Sequence, residues 1–327
     1  MSTLFTDRAM PLDEASMQGS AASQRADRRF RRLTAAAGFT VLVVLAAIAI
    51  STTQKAWPAF RHEGLGYLTS DDWSPNRDSY GALAIIYGSV VVAVIAIVAA
   101  VPVSLGIALF ITQVAPRRIR GWITTVMDVL AAVPSVVFGL WGFLILRPWL
   151  ADVFNSISDS VSGVPLLRNV FGPSSGMSFM TAGLIVALMI TPIITSIMRE
   201  VFQTVPTNDK NGALALGATR WEMIQGVVFP HSTGGMVGAV MLGLGRAMGE
   251  TIAVALVIGA SPQIVANLFG QGEAMPAIIA RNLNESSGLQ TSALIGLGVT
   301  LFALTIVVNI SAKQLVKRVD ARTLGAR

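Results

Sequence analysis

An arginine and a glutamate lie four residues apart inside one apolar run of this chain. Arg246 and Glu250 belong to the run from Gly234 to Ala260, and a continuous helix would place both side chains on one face. An unpaired charge within a membrane costs at least about 2.5 kcal/mol on insertion scales, so such residues face a bundle interior or an aqueous path. The two are therefore candidate residues of a substrate path. The alternative is a structural ion pair that only neutralises itself.

The chemistry of the two groups indicates which solute they would suit. A guanidinium donates hydrogen bonds and a carboxylate accepts them. Phosphate has charged oxygens for the arginine and usually a protonated hydroxyl for the glutamate, whereas sulfate offers the glutamate no proton to accept. The pair therefore favours a protonated oxyanion.

The rest of the chain lacks the residues that most other chemistries need. It has no cysteine and two histidines, His62 and His231, which excludes a disulfide framework, a thiolate nucleophile and a Cys/His metal site. It also has no Gly-x-x-x-x-Gly-Lys-[Ser/Thr] segment, the phosphate-binding loop of many ATPases. We predict no catalytic residue, no metal and no cofactor in this chain.

Long apolar helices must position the charged pair. Hydrophobic residues make up 53% of the chain and charged residues 13%, whereas about a quarter of residues are charged in soluble domains. A helical crossing needs roughly 20 apolar residues, and these runs lack the alternation of barrel strands. The sequence predicts an all-α, polytopic membrane protein with six transmembrane helices. The runs are Leu33 to Thr52, Leu83 to Ile111, Trp122 to Leu146, Phe179 to Met198, Gly234 to Ala260 and Thr291 to Ala312.

Prolines and glycines are expected to modify these helices. The second run is long for a bilayer, so we expect tilt or a break at Pro102, and Pro134 and Pro192 lie inside later runs. Small residues spaced by four allow close helix packing. This spacing relates Gly234 to Gly238 and Gly245 to Gly249.

Lysine and arginine are distributed unevenly between the connecting segments. Of the 24, six lie in the N-terminal tail, five in the C-terminal tail, and three in each of the loops Ala115 to Gly121 and Arg199 to Pro230. The three opposite segments carry six in total. Because cytoplasmic loops carry the excess, we expect both termini in the cytoplasm. The expected organisation is a cytoplasmic tail 1–32, an anchor helix 33–52, a periplasmic loop 53–80, a transmembrane domain 81–312 with the loop 199–230, and a cytoplasmic tail 313–327.

The loop 199–230 carries small residues at a characteristic spacing. Its segment from Ala213 through Gly217 to Pro230 resembles the EAA motif of binding-protein-dependent ABC importers, in which a short coupling helix docks in a groove of the ATPase subunit. The resemblance assigns ATPase coupling to Ala213, Gly217, Glu222 and Pro230. Gly217 permits a sharp turn, and Pro230 is expected to end the segment. At its start Asn211 and Gly212 stand in place of the usual Glu and Ala, so the glutamate expected to contact the ATPase is replaced by an uncharged asparagine. The alternative is an amphipathic surface helix without a partner.

Further segments resemble the PstC family of phosphate permease subunits. The resemblance covers Trp73 to Asn309. The sister PstA family shares the coupling motif and the arginine, but a long outer loop with Trp73 is typical of PstC, although Trp73 could instead be a membrane-interface anchor. The segments concerned are Trp73 with Pro75, Leu130 to Gly142, Arg246 to Glu250, and Gly259 to Pro262, in which Ala260 replaces the usual asparagine.

This resemblance implies a type I ABC importer permease that moves inorganic phosphate across the bacterial inner membrane. It also implies a heterodimer with a PstA-like permease subunit, and a PstS-like phosphate-binding protein that is periplasmic or a lipoprotein. Two separate PstB-like ATPase subunits would bind the ATP and Mg²⁺. Membrane lipid is expected around the chain, and no nucleic acid, because the basic residues do not form one patch. The alternatives are a permease for another oxyanion or polar solute, a PstA-type subunit, and a membrane scaffold that signals phosphate status.

Overall fold

Helices account for nearly all regular structure in this computed structural model, which describes residues 21–324. Within these residues six helical spans are long and apolar enough to cross a membrane, which confirms the predicted all-α fold with six transmembrane helices. The first 20 residues of the predicted N-terminal tail and the last three of the C-terminal tail lie outside the described residues. The spans are Asp27–Glu63, Leu83–Val114, Ser135–Val161, Phe179–Gln203, Arg220–Gly249 and Gly288–Gln314.

The helices are numbered here in chain order. Three of them continue into short π-helical segments, Phe110–Val114 after α3, Gly142–Leu146 after α5 and Ile224–Val228 after α10. The helices are α1 (Ala21–Glu63), α2 (Gly66–Thr69), α3 (Leu83–Leu109), α4 (Arg117–Ala132), α5 (Ser135–Trp141), α6 (Arg147–Val161), α7 (Pro165–Val170), α8 (Phe179–Gln203), α9 (Thr207–Ala215), α10 (Arg220–Met223), α11 (Phe229–Gly249), α12 (Ile252–Val257), α13 (Met275–Asn282) and α14 (Gly288–Leu324).

The first helix is longer than the apolar run that predicted it. By its contacts the chain divides after Ser51 into two units. In the first unit apolar side chains such as Phe39 are exposed, as suits a helix surface that faces lipid. In the second unit α1 continues through Pro58 to Glu63 instead of ending at the predicted Thr52.

The loop after α1 folds into a small structure of its own. Strands β1 (Trp73–Ser74) and β2 (Ser79–Tyr80) form an antiparallel hairpin in which the Trp73 and Tyr80 rings meet edge to face at 5.4 Å. The Tyr80 N–H donates to Glu63 Oε1 at 2.9 Å. Trp73 is only 9% exposed and belongs to a buried apolar cluster that includes Ile85 and Met275, so it is not an exposed interface anchor.

The helices α3, α8 and α11 enclose the main apolar core. Both α3 and α8 run through their prolines, Pro102 and Pro192, without interruption. Close approach between α8 and α11 depends on glycine, since a Cβ at Gly243 would come within 2.5 Å of Ile194 Cδ1. The four glycines selected by their spacing meet nothing within 4 Å, so their predicted packing role is not seen among the described residues. They are Gly234, Gly238, Gly245 and Gly249.

The third crossing starts later than the predicted run Trp122 to Leu146. Helix α4 ends at Ala132, and Val133 is extended with ψ 129°. Proline disfavours helical backbone in the residue before it, which explains an end just ahead of Pro134. A new helix begins at Ser135, and the membrane-length span continues to Val161.

Candidate functional site

Arg246 and Glu250 do not share one continuous helix. Helix α11 ends at Gly249, Glu250 has extended backbone with φ −68° and ψ 123°, and α12 begins at Ile252. The predicted helical run to Ala260, and with it the common helical face, is therefore wrong. Glycine destabilises a helix, which favours an end at Gly249, and the Glu250 carboxylate then binds the start of the next helix. Its Oε1 accepts a hydrogen bond at 3.4 Å from the N–H of Ala253, one of the free donors at the start of α12.

The two charged groups also do not pair with each other. The ion pairs within 4 Å in the described part of the chain join other residues. Arg246 is exposed, whereas Glu250 is only 9% exposed. The alternative of a self-neutralising ion pair is not supported by this geometry.

Both side chains nevertheless line one open pocket of about 430 Å³. Its wall combines a guanidinium, a carboxylate and the hydroxyl-bearing residues Ser135 and Thr251. Such a set contains hydrogen-bond donors for a charged oxygen and an acceptor for a hydroxyl. The pocket is lined by Ser135, Arg246, Gly249, Glu250, Thr251 and Ile252.

Ser135 is a site residue that the sequence reasoning did not single out. It is the first residue of α5, directly after the extended Val133 and Pro134, so the proline break brings it to the pocket. The available signal was Pro134, which the sequence places inside the third apolar run.

Glu250 separates the open pocket from the packed interior. On its other side lies a cavity of only about 10 Å³, lined also by Ser89, Met248, Val254 and Ala274. This is too small for more than about one water molecule. Glu250 thus lies between packed protein and the open pocket that Arg246 also lines.

A second charged pair, absent from the sequence analysis, lies near this site. Glu273 Oε2 accepts a hydrogen bond from Arg281 Nη2, and Glu273 is only 3% exposed. Arg281 Nη1 also donates to the carbonyl oxygens of Ala255, at 3.1 Å, and Gly259, at 2.7 Å. Burial raises the pKa of Glu273, and the neighbouring Arg281 opposes that rise. No spacing rule relates these residues, because they meet only through tertiary folding.

The predicted coupling residues surround a sharp turn between α9 and α10. Gly217 has φ +88° and open space around it, as the predicted turn requires. Ala213 is half-buried and packs against the core, and Glu222 forms a capping box with Thr219 that starts α10. Beside them Leu216 is 91% exposed.

Pro230 does not end the coupling segment as predicted. The helical span runs from Arg220 to Gly249, and Pro230 lies in the first turn of α11. The π-helical segment just before it shifts the backbone hydrogen bonds, with the N–H of Phe229 donating to the Ile224 carbonyl. A proline is tolerated there because the pattern is already displaced.

Comparisons with known proteins support the resemblance that these motifs predicted. Residues 100–323 match the family described as "Binding-protein-dependent transport system inner membrane component". A protein of Mesorhizobium japonicum named "Phosphate transport system permease protein PstC" is 42% identical over 300 residues, covering 91% of this chain and 92% of that protein. The protein of the same name from Haemophilus influenzae is 40% identical over 293 residues, covering 89% of this chain and 93% of its own.

A solved structure supports the fold. A chain of the bacterial alginate ABC transporter, crystallised with its alginate pentasaccharide-bound periplasmic protein, superposes with a TM-score of 0.57. The match covers 90% of this chain and 97% of that chain at 13% identity. The fold prediction of a type I ABC importer permease is confirmed.

Proposed function

Since this chain belongs to the binding-protein-dependent transport system inner membrane component family, in its PstC branch, we propose that it conducts inorganic phosphate across the bacterial inner membrane. It is a multi-pass permease subunit of an ABC transporter and works in a complex with other subunits. The proposed direction of transport is import, driven by ATP hydrolysis in a separate subunit.

The pocket at the end of α11 is the observation that carries this proposal. An exposed Arg246 and a buried Glu250 face the same space without neutralising each other. At neutral pH phosphate is a mixture of singly and doubly charged ions, both of which have at least one P–OH group. Arg246 would donate to the charged oxygens and Glu250 would accept from the hydroxyl. Ser135 and Thr251 can donate or accept as the ion rotates.

The remaining subunits follow from the family. We propose a PstA-like partner with the phosphate path between the two permeases, and a PstS-like phosphate-binding protein outside the cell. Of two PstB-like ATPases, one would bind the loop around Gly217 of this chain. Both termini would then be cytoplasmic. A rigid-body motion of the helices would couple ATP hydrolysis to opening of the path.

Single replacements at the pocket test the substrate. The complex is reconstituted in vesicles, and uptake of radiolabelled phosphate and sulfate is measured per assembled complex. Because Arg246 is exposed and unpaired with Glu250, Arg246→Gln leaves no buried partner charge behind. We expect it to lower phosphate uptake at least tenfold, and Arg246→Lys to restore part of it.

The carboxylate variant tests the reason for choosing phosphate. Glu250→Gln replaces an acceptor-only group by an amide that can also donate. The ratio of phosphate uptake to sulfate uptake should therefore fall. Phosphate uptake that is unchanged in both Arg246→Gln and Glu250→Gln would contradict the proposal. If the unaltered complex transports another oxyanion faster than phosphate, the chain is a permease for that oxyanion. If cells with this chain signal phosphate status normally but take up no phosphate through it, the chain is a signalling scaffold.

A further inference from the structure

We propose that Glu273 and Arg281 are positioning residues that hold Glu250 at the pocket through the short helix α12. The inference rests on the proposed function, because it gives Glu250 a part in transport. Neither Glu273 nor Arg281 lines the pocket. Their effect would therefore pass through the protein and not through contact with the transported ion.

Arg281 binds the carboxyl end of α12. The last carbonyl groups of a helix have no partner within that helix. Arg281 Nη1 donates to two carbonyl oxygens there, those of Ala255 at 3.1 Å and Gly259 at 2.7 Å, while Nη2 donates to Glu273. A planar guanidinium can reach three acceptors at fixed angles, whereas the ammonium of lysine is a compact point charge.

Glu273 in turn is fixed to helix α3. Its Oε1 accepts the N–H of Ala274 at 3.0 Å, and the next N–H, of Met275, donates to Ser89 Oγ at 2.8 Å. The Glu273 carbonyl lies so close to Gly88 that any Cβ at that position would overlap it. The carboxylate that orients Arg281 therefore has little freedom to move.

Helix α12 connects this anchor to the pocket. It has six residues, about 9 Å at 1.5 Å per residue. Glu250 binds its amino end through Ala253 N–H, and Arg281 binds its carboxyl end. Ala274 and Glu250 also line the same cavity of about 10 Å³, so a shift of the anchor has no empty space in which to be absorbed. Loss of the Glu273–Arg281 ion pair would shift Glu250, while the chemical groups that line the pocket would remain the same.

The experiment compares Glu273→Gln and Arg281→Lys in the reconstituted complex, with uptake normalised to assembled complex. Each variant should lower the maximal uptake rate about tenfold, while the apparent KM, which the binding protein sets, stays within twofold. The control is Glu285→Gln, the same chemical change at an exposed carboxylate, and it should leave both constants unchanged. Arg281→Lys keeps the charge beside Glu273, so it provides a folded variant if Glu273→Gln does not assemble.

A double-mutant cycle separates positioning from general damage. Glu250→Asp is combined with Arg281→Lys. If Arg281 acts through Glu250, the double variant should lose no more of the maximal uptake rate than the more damaging single variant. The reason is that both changes would act on the same carboxylate position and so would not be independent. Losses that multiply would overturn the inference.

A readout that needs no phosphate keeps this test separate from the proposed function. The chain has no cysteine, so a nitroxide label can be attached to Thr251→Cys alone. Glu273→Gln should increase the label's mobility in the complex, and Glu285→Gln should not. Unchanged mobility would overturn the positioning role even if phosphate transport is normal. Phosphate import is measured separately in the unlabelled complex that keeps Thr251. Increased label mobility, together with no phosphate import by that unlabelled complex, would support positioning while the proposed substrate fails.

Discussion

Leu216 provides a quantitative test of the coupling loop. Its side chain is 91% exposed and lies next to Gly217, where φ is +88°. Two neighbours, Leu214 and Trp221, are also exposed. A single exposed leucine is ordinary, but an apolar group at a sharp turn is expected to be buried in the complex if that turn docks on an ATPase, as proposed above.

The expected magnitude follows from the apolar area that docking would remove from water. Leu216→Ala deletes three carbon atoms, worth about 2 kcal/mol if the side chain becomes fully buried. That corresponds to about a 30-fold weaker affinity for the ATPase subunit, and half burial would give about fivefold. Membrane insertion should be unaffected, because the side chain has almost no contacts to lose within the chain.

The assay measures the Kd between the purified permease pair and the ATPase subunit, alongside membrane abundance. Leu65→Ala is the matched control, since Leu65 is 85% exposed in the loop after α1, which the predicted topology places on the opposite face. It should leave the affinity unchanged. A change below twofold for Leu216→Ala would refute the reasoning that this surface docks the ATPase.

Three further predictions address the turn, the packing and the topology. Gly217→Ala should destabilise the turn by about 1 kcal/mol, because φ +88° is strained for any residue with a Cβ. The permease should still insert in the membrane, but phosphate uptake per ATP hydrolysed should fall, and an unchanged ratio would contradict this prediction. Gly243→Val should lower the thermal stability of the purified protein through overpacking worth about 1–3 kcal/mol, whereas Gly238→Ala, which has open space, should not; equal melting temperatures would count against the helix contact. Fluorescent reporter fusions at Arg327 should be bright in the cytoplasm and those at Asp72 dark, and a bright signal at Asp72 would reverse the orientation.

The number and type of the crossings could be predicted because they depend on additive local properties. Twenty apolar residues in lipid have to form helix whatever their neighbours are. The ends of helices depend on finer balances. The helix before Pro134 ends because one proline restricts the residue ahead of it, whereas the sequence had only placed Pro134 inside an apolar run. At Pro230 the same residue type lies inside a continuous span, because a π-helical segment displaces the hydrogen bonds first.

The candidate site was predicted in composition and not in geometry. Arg246 and Glu250 could be found because ionisable residues are rare within apolar runs. Ser135 could not be predicted as a site residue, because the sequence does not show which helix end faces Arg246 and Glu250. Glu273 and Arg281 were beyond reach, since the acceptors of Arg281 include the carbonyls of Ala255 and Gly259, over 20 residues earlier in the chain.

The break between α11 and α12 changes what a mutation at the site can reveal. In one helix, removing Arg246 would leave Glu250 as a buried charge without its partner, and loss of uptake could mean loss of assembly. In the broken arrangement the carboxylate already has its own contact with the N–H of Ala253, and the guanidinium is exposed. Removal of Arg246 therefore perturbs the pocket more than the fold. The loss of the common helical face thus makes the single variant interpretable, and it leaves both charges available to a transported ion.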